Sequence, residues 1–154
     1  MTPPDGNLIT VDDKPALRFE RRLPHPVERV WRAITEERGE WFPDDAPLEV
    51  ARSEPPHLLA GTWFGDTLRF ELTPDGDGCL LVFTHEFSDR ETAARSAAGW
   101  DRVFARLDGL LAGQPLGAKE SLEKWPEVHE RYAEAFGVDP EIGRRAFAEH
   151  PTQN

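Results

Sequence analysis

The chain has 154 residues, 18 Lys+Arg against 29 Asp+Glu, a net charge of -11, and one cysteine, Cys79. Such a length can bury about 70% of the unfolded surface without disulfide or metal support, and a lone cysteine forbids an intrachain disulfide. The acidic balance argues against nucleic acid and anionic membranes, both of which bind through basic patches.

The first sixteen residues, MTPPDGNLITVDDKPA, carry neither a basic segment nor an apolar run, so they do not read as a signal peptide. Pro3, Pro4, Gly6 and Pro15 predict a loose arm over residues 1–16. No apolar stretch reaches the roughly 20 residues of a membrane helix, which predicts a cytoplasmic protein that does not insert into membranes. Leu17, Phe19 and Leu23 alternate with Arg18, Glu20 and Arg22, as in a half-buried strand, with Arg21 as an exception on the apolar face. Val27, Val30, Trp31 and Ile34 then recur at helical spacing behind Pro26, a residue suited to a helix start. A second short helix is expected over 36–42, closed by Pro43.

Residues 48–64 read as one long strand interrupted at Pro55-Pro56. Leu68, Phe70 and Leu72 alternate with Arg69 and Glu71 in the next strand. Pro74-Asp75-Gly76-Asp77-Gly78 is a hairpin turn. The strand after it carries Leu81, Phe83, His85 and Phe87 on one parity. Ser88 and Glu91 have the spacing of a capping box, and a helix of about 35 Å follows, to Ala112, with Gly113 placed to end it. Its apolar stripe contains Trp100, Val103, Phe104 and Leu107. Beyond a linker, residues 126–136 and 140 onward predict two amphipathic helices separated by Gly137, a helical tail over 114–154.

Several stretches together resemble one superfamily. They are Arg22-Leu23-Pro24-His25-Pro26-Val27-Glu28-Arg29-Val30-Trp31, Trp41-Phe42-Pro43, Pro55-Pro56-His57-Leu58-Leu59-Ala60-Gly61-Thr62-Trp63, Leu68-Arg69-Phe70-Glu71-Leu72, Phe83-Thr84-His85, and Gly99-Trp100 ahead of Phe104 and Leu107. In this order they resemble the SRPBCC, or START-type, proteins, and within them the branch named after the activator of the Hsp90 ATPase. The resemblance covers residues 17–113. It implies an α+β helix-grip domain like that of the birch-pollen allergen, a curved antiparallel sheet around the long C-terminal helix. It also implies binding of a small apolar ligand, a lipid or polyketide, in a cavity between them. Members of the branch carry two more strands between the Trp-Phe-Pro segment and the Pro-Pro strand. Their absence here implies a shortened sheet with the strand near Leu48 at its edge. The tail, through Trp125, Tyr132 and Phe136, is expected to cover that edge; the alternative is pairing of two protomers, so monomer and homodimer both stand.

Trp31, Trp41, Trp63, Phe70, Phe83, Trp100 and Phe104 are the candidate lining of an apolar pocket, against the plainer reading as packed core. His85, on the inward parity, is either a ligand-facing acceptor or base, or a core histidine bonded to a carbonyl or to Asp101. Arg21 either receives a ligand carboxylate or pairs with a glutamate. The five histidines are scattered at no metal-ligand spacing, so no metal or other cofactor is expected. Cys79 has no evident base beside it, and neither a Gly-x-Ser-x-Gly elbow nor a phosphate loop is present. Two other functions fit the resemblance: a protein-interaction module related to the Hsp90 activators, acting in a stress response, and a cyclase- or hydrolase-type enzyme. The first reading, non-enzymatic ligand binding, has no catalytic residues.

Overall fold

In a computed structural model describing residues 6–43 and 46–149, the sequence forms six strands and five helices. The chain divides between Ser88 and Asp89 into a sheet unit and a helical unit. The sheet unit holds β1 (Gly6–Val11), β2 (Lys14–Leu23), α1 (Val27–Thr35), β3 (Glu49–Glu54), β4 (Leu58–Trp63), β5 (Asp66–Asp75) and β6 (Gly78–Glu86). All neighbouring strands are antiparallel, in the order β1-β2-β6-β5-β4-β3.

The first six described residues are not an arm. Leu8 pairs with Leu17 and Gly6 with Phe19, so β1 extends the sheet. Asp12 and Asp13 both take positive φ, 49° and 66°, in the two-residue turn between β1 and β2. That is the mirror-image turn whose twist suits a hairpin, and aspartate tolerates it better than most side chains. Residues 1–5 lie outside the described structure.

Two further turns fix the register of the remaining strands. Gly76 (φ 61°) opens the turn between β5 and β6, where Asp75 faces Gly78. Phe64 and Gly65, at φ 52° and 79°, make the turn between β4 and β5, where Trp63 faces Asp66. The expected single strand over 48–64 is two strands. The chain reverses between Glu54 and Leu58, with the His57 amide donating to the Glu54 carbonyl at 2.8 Å. Two consecutive prolines offer no amide to a ladder, so a turn is where they cost least.

Along β2, β5 and β6 the inward residues are buried, among them Leu17, Phe19, Leu68, Phe70, Leu72, Leu81 and Phe83. Helix α1 packs on β5 and β6 and buries Val27, Val30, Ala33 and Ile34. Each such Val, Leu, Ile or Phe side chain contributes about 1.5–3 kcal/mol on leaving water. The expected second short helix is a single 3-10 turn, Arg38–Glu40. At the far edge, β3 is exposed at all six residues. A register shift between Val50 and Arg52 interrupts its pairing, a feature that blunts an open edge.

The helical unit holds α2 (Ala93–Leu111), α3 (Ala118–Ser121), α4 (Trp125–Phe136) and α5 (Glu141–Glu149). A 3-10 turn, Arg90–Thr92, precedes α2, and Asp89 caps it by accepting from the Glu91 amide. The cap is therefore Asp89 and not Ser88. Gly113 at φ 74° and Gly137 at φ 67° end α2 and α4, the left-handed positions that glycine fills without strain. Helix α4 packs along α2, burying Trp125, His129, Tyr132 and Phe136. The apolar face of the tail is thus taken up by α2 within the helical unit.

Candidate functional site

His85 sits on β6 opposite Leu68 of β5, pointing to the buried parity. Asp66 lies two residues back along β5, on the same face, a diagonal neighbour across the ladder. The His85 Nε2 and Asp66 Oδ2 are 2.8 Å apart. An ionised carboxylate only accepts, so Nε2 carries the hydrogen and donates. In the neutral ring Nδ1 is then the acceptor. Burial holds the pKa of His85 below its ordinary value, and Asp66 opposes that shift through the hydrogen bond and its charge. The ring is 3% exposed, so a neutral, oriented imidazole is the favoured form. Sequence reading selected His85 but not Asp66. The signal was the turn at Gly76: counting the ladder outward from it brings Asp66 diagonal to His85.

Around this pair the aromatic candidates of the sheet unit form one continuous cluster. Phe83 meets Phe70 at 4.9 Å between ring centroids, Phe70 meets Trp41 at 6.2 Å, and Trp41 meets Phe42 at 5.8 Å. Phe42 meets Trp63 at 5.7 Å, and Trp63 lies 6.4 Å from His85. Most of these contacts are edge-on, the arrangement ring quadrupoles favour. The indole N–H groups are both used: Trp41 donates to the Ala33 carbonyl at 2.8 Å and Trp63 to that of Ala46 at 3.2 Å. Trp31 stands apart, half-buried on α1. Trp100 and Phe104 belong to the helical unit, their rings 6.2 Å apart on α2. Arg21 lies half-buried opposite Leu81.

Beside the cluster is a cavity of about 390 Å³, lined by the C-terminal end of α1, the 3-10 turn and residues 46–48. Phe42, Pro43, Pro47 and Leu48 give it apolar walls, and Thr35, Glu36 and Arg38 give it polar ones. Its size falls within the range of about 300–1,000 Å³ typical of small-molecule sites. Phe42 is shared, lining the cavity and touching both Trp41 and Trp63. Arg38 donates to the Ile34 carbonyl at 3.0 Å and forms no ion pair among the described residues. Burial lowers its pKa, the mark of a cation that a desolvated anion would stabilise. Arg38, Phe42 and Leu48 were not among the candidate pocket residues in the sequence, where 36–42 read as a short helix with Trp41 as its pocket candidate.

Burial pushes the Cys79 thiol up to about 11, leaving almost no thiolate near neutrality. Among the described residues no group of three His, Cys, Asp or Glu side chains converges as a metal site. No helix among them is long and apolar enough to cross a membrane.

The six-stranded antiparallel sheet, with α1 inserted after β2 and a long helix after β6, defines an α+β protein of the helix-grip class. Among solved structures it is similar to CalU16 from Micromonospora echinospora, at 20% identity and a TM-score of 0.67, covering 86% of this chain and 93% of that one. The protein encoded by gene BPP1335 from Bordetella parapertussis is 28% identical, with a TM-score of 0.61 over 87% of this chain and 95% of the other. The Aha1 dimer from Colwellia psychrerythraea matches at 13% identity and a TM-score of 0.54, over 62% and 95%. No curated protein matches the sequence. Residues 36–112 match the model of the activator of Hsp90 ATPase homolog 1-like proteins, and the chain belongs to that family.

Proposed function

We propose that this protein binds a small apolar molecule without transforming it, and that the ligand enters the sheet unit beside Phe42. The single observation that carries this reading is the 390 Å³ cavity, apolar along Phe42, Pro43, Pro47 and Leu48, with a partly buried Arg38 that has no carboxylate partner among the described residues. A ligand with a hydrocarbon body and a carboxylate head matches both features, since guanidinium binds carboxylate through paired hydrogen bonds. Phe42 joins this cavity to the aromatic cluster of Trp41, Trp63, Phe70 and Phe83, with His85 at the far end of that cluster. Trp31, Trp100 and Phe104 have no part in this version of the site.

Decanoic acid is a suitable probe. The Trp63 indole N–H donates to Ala46, which lines the cavity, so its amide-type NMR cross-peak reports occupancy. Decanoate is expected to shift that peak, Arg38→Ala to weaken the titration about ten-fold, the worth of one charge-assisted hydrogen bond, and Leu48→Trp to abolish it by filling the space. An unmoved peak at millimolar decanoate in a folded protein contradicts the reading.

A second reading rests on a different observation. The whole of β3 is exposed at the sheet edge, a surface that offers backbone donors and acceptors to another chain. The protein then serves as an interaction module, a role consistent with its family and with an Aha1 structure described as a dimer. A strand-blocking Ser53→Pro substitution that abolishes partner or self-association, with cavity binding intact, would favour it.

A further inference from the structure

The helical unit contains a second cavity, of about 550 Å³, enclosed by α2, the segment 116–124 and the start of α4. Its floor is apolar. Ala98 and Ala105 lie seven residues apart on one face of α2, where their small side chains leave a hollow, and Leu116 and Val128 close the sides. Trp125 forms another part of the wall. Its ring plane is fixed by two near-parallel stacks, on His129 at 4.8 Å and 5° and on Phe147 at 4.8 Å and 10°. Trp125 is 2% exposed, and its indole N–H has no acceptor among the described residues. The other two tryptophan N–H groups with assigned partners, Trp41 and Trp63, reach backbone carbonyls. A buried N–H left without an acceptor costs free energy that a ligand supplying one would recover.

Charge narrows the ligand further. Asp101, Glu120 and Glu123 face the cavity against Arg102 and Lys124, and the Arg102 Nε already donates to the Ser121 hydroxyl at 2.8 Å. The surround is acidic, as is the whole chain at -11, so an anion is disfavoured.

We infer that this cavity is a second binding site, in the helical unit, for an uncharged apolar molecule carrying one hydrogen-bond acceptor directed at the Trp125 N–H. It is separate from the carboxylate-selective site proposed in the sheet unit and does not depend on it.

Three naphthalenes of one ring size test it: 2-acetonaphthone has a carbonyl acceptor, 2-ethylnaphthalene has none, and 2-naphthoate is an anion. The readout is the Trp125 indole N–H cross-peak, assigned by its loss in Trp125→Phe. The ketone is expected to move this peak downfield. The hydrocarbon is expected to bind about ten-fold more weakly, the factor one net hydrogen bond supplies, and the anion more weakly than the ketone because of the acidic surround. In Trp125→Phe, ketone affinity measured by ligand-detected NMR should fall to that of the hydrocarbon. Ala105→Phe, which fills the hollow without touching the indole N–H, should abolish binding with the melting temperature kept. Arg38→Ala and Leu48→Trp should leave it unchanged. A Trp125 peak unmoved at saturating ketone, or equal affinity for ketone and hydrocarbon, would overturn the assignment. Loss of ketone binding in Leu48→Trp would move the site to the sheet unit and overturn it equally.

Discussion

At the scale of single residues, the sheet unit depends on a few buried side chains with both apolar and polar duties. Trp41 is 0% exposed, edge-on to Phe42 and Phe70, with its N–H on the Ala33 carbonyl. Trp41→Ala therefore removes a large ring and leaves that carbonyl without its donor, and should cost about 3–5 kcal/mol in a urea titration. A loss below about 1 kcal/mol would show that the cluster repacks freely, outside the range for such deletions. His85 makes a second prediction. Its folded pKa lies below the ordinary 6.5, so the unfolded chain takes up more protons as the solution is acidified. The contribution is complete above about pH 6.5 and is lost as the pH falls through the window beneath it. Urea titrations at pH 7.5 and 5.5 should show a larger acid loss for the wild type than for His85→Gln, which keeps a donor to Asp66 but does not titrate. Equal losses would contradict the burial of a neutral ring.

At the scale of elements, α5 approaches α4 closely at Gly143. A Cβ on Gly143 would run into the His129 ring, and that ring is stacked on Trp125 and cannot give way cheaply. Gly143→Ala should destabilise the protein by about 1–3 kcal/mol, the cost of overpacking, and raise hydrogen exchange in α5 before α4. An unchanged melting temperature would mean that α5 is only loosely held. The elements also show which parts of the fold the sequence made legible. Alternation named β2, β5 and β6 because each is buried on one face, and Gly113 and Gly137 marked the ends of α2 and α4. β1 was hidden because Gly6 and Pro15 read as breakers, although a hairpin turn at Asp12-Asp13 accommodates both neighbours. β3 carries no pattern at all, since an edge strand exposed at every residue has no face to encode. The candidate site was half legible for the same reason. Inward aromatics and His85 follow from periodicity, whereas Asp66 and the cavity residues Arg38, Phe42 and Leu48 depend on register and loop path, which one-dimensional spacing does not contain.

At the scale of the whole molecule, the chain has the helix-grip fold of its family, with a cavity beside Phe42 in the sheet unit and another beside Trp125 in the helical unit. The register shift in β3 interrupts its pairing with β4. The central claim is that the protein carries a small apolar molecule. Native mass spectrometry of protein purified from its own host tests it most directly. The account predicts a chain carrying a small carboxylic acid, which is released on denaturation and is absent from Leu48→Trp, whereas an uncharged molecule held in the helical unit stays with that variant. A native mass equal to that of the chain alone, from freshly purified and fully folded protein, would contradict it.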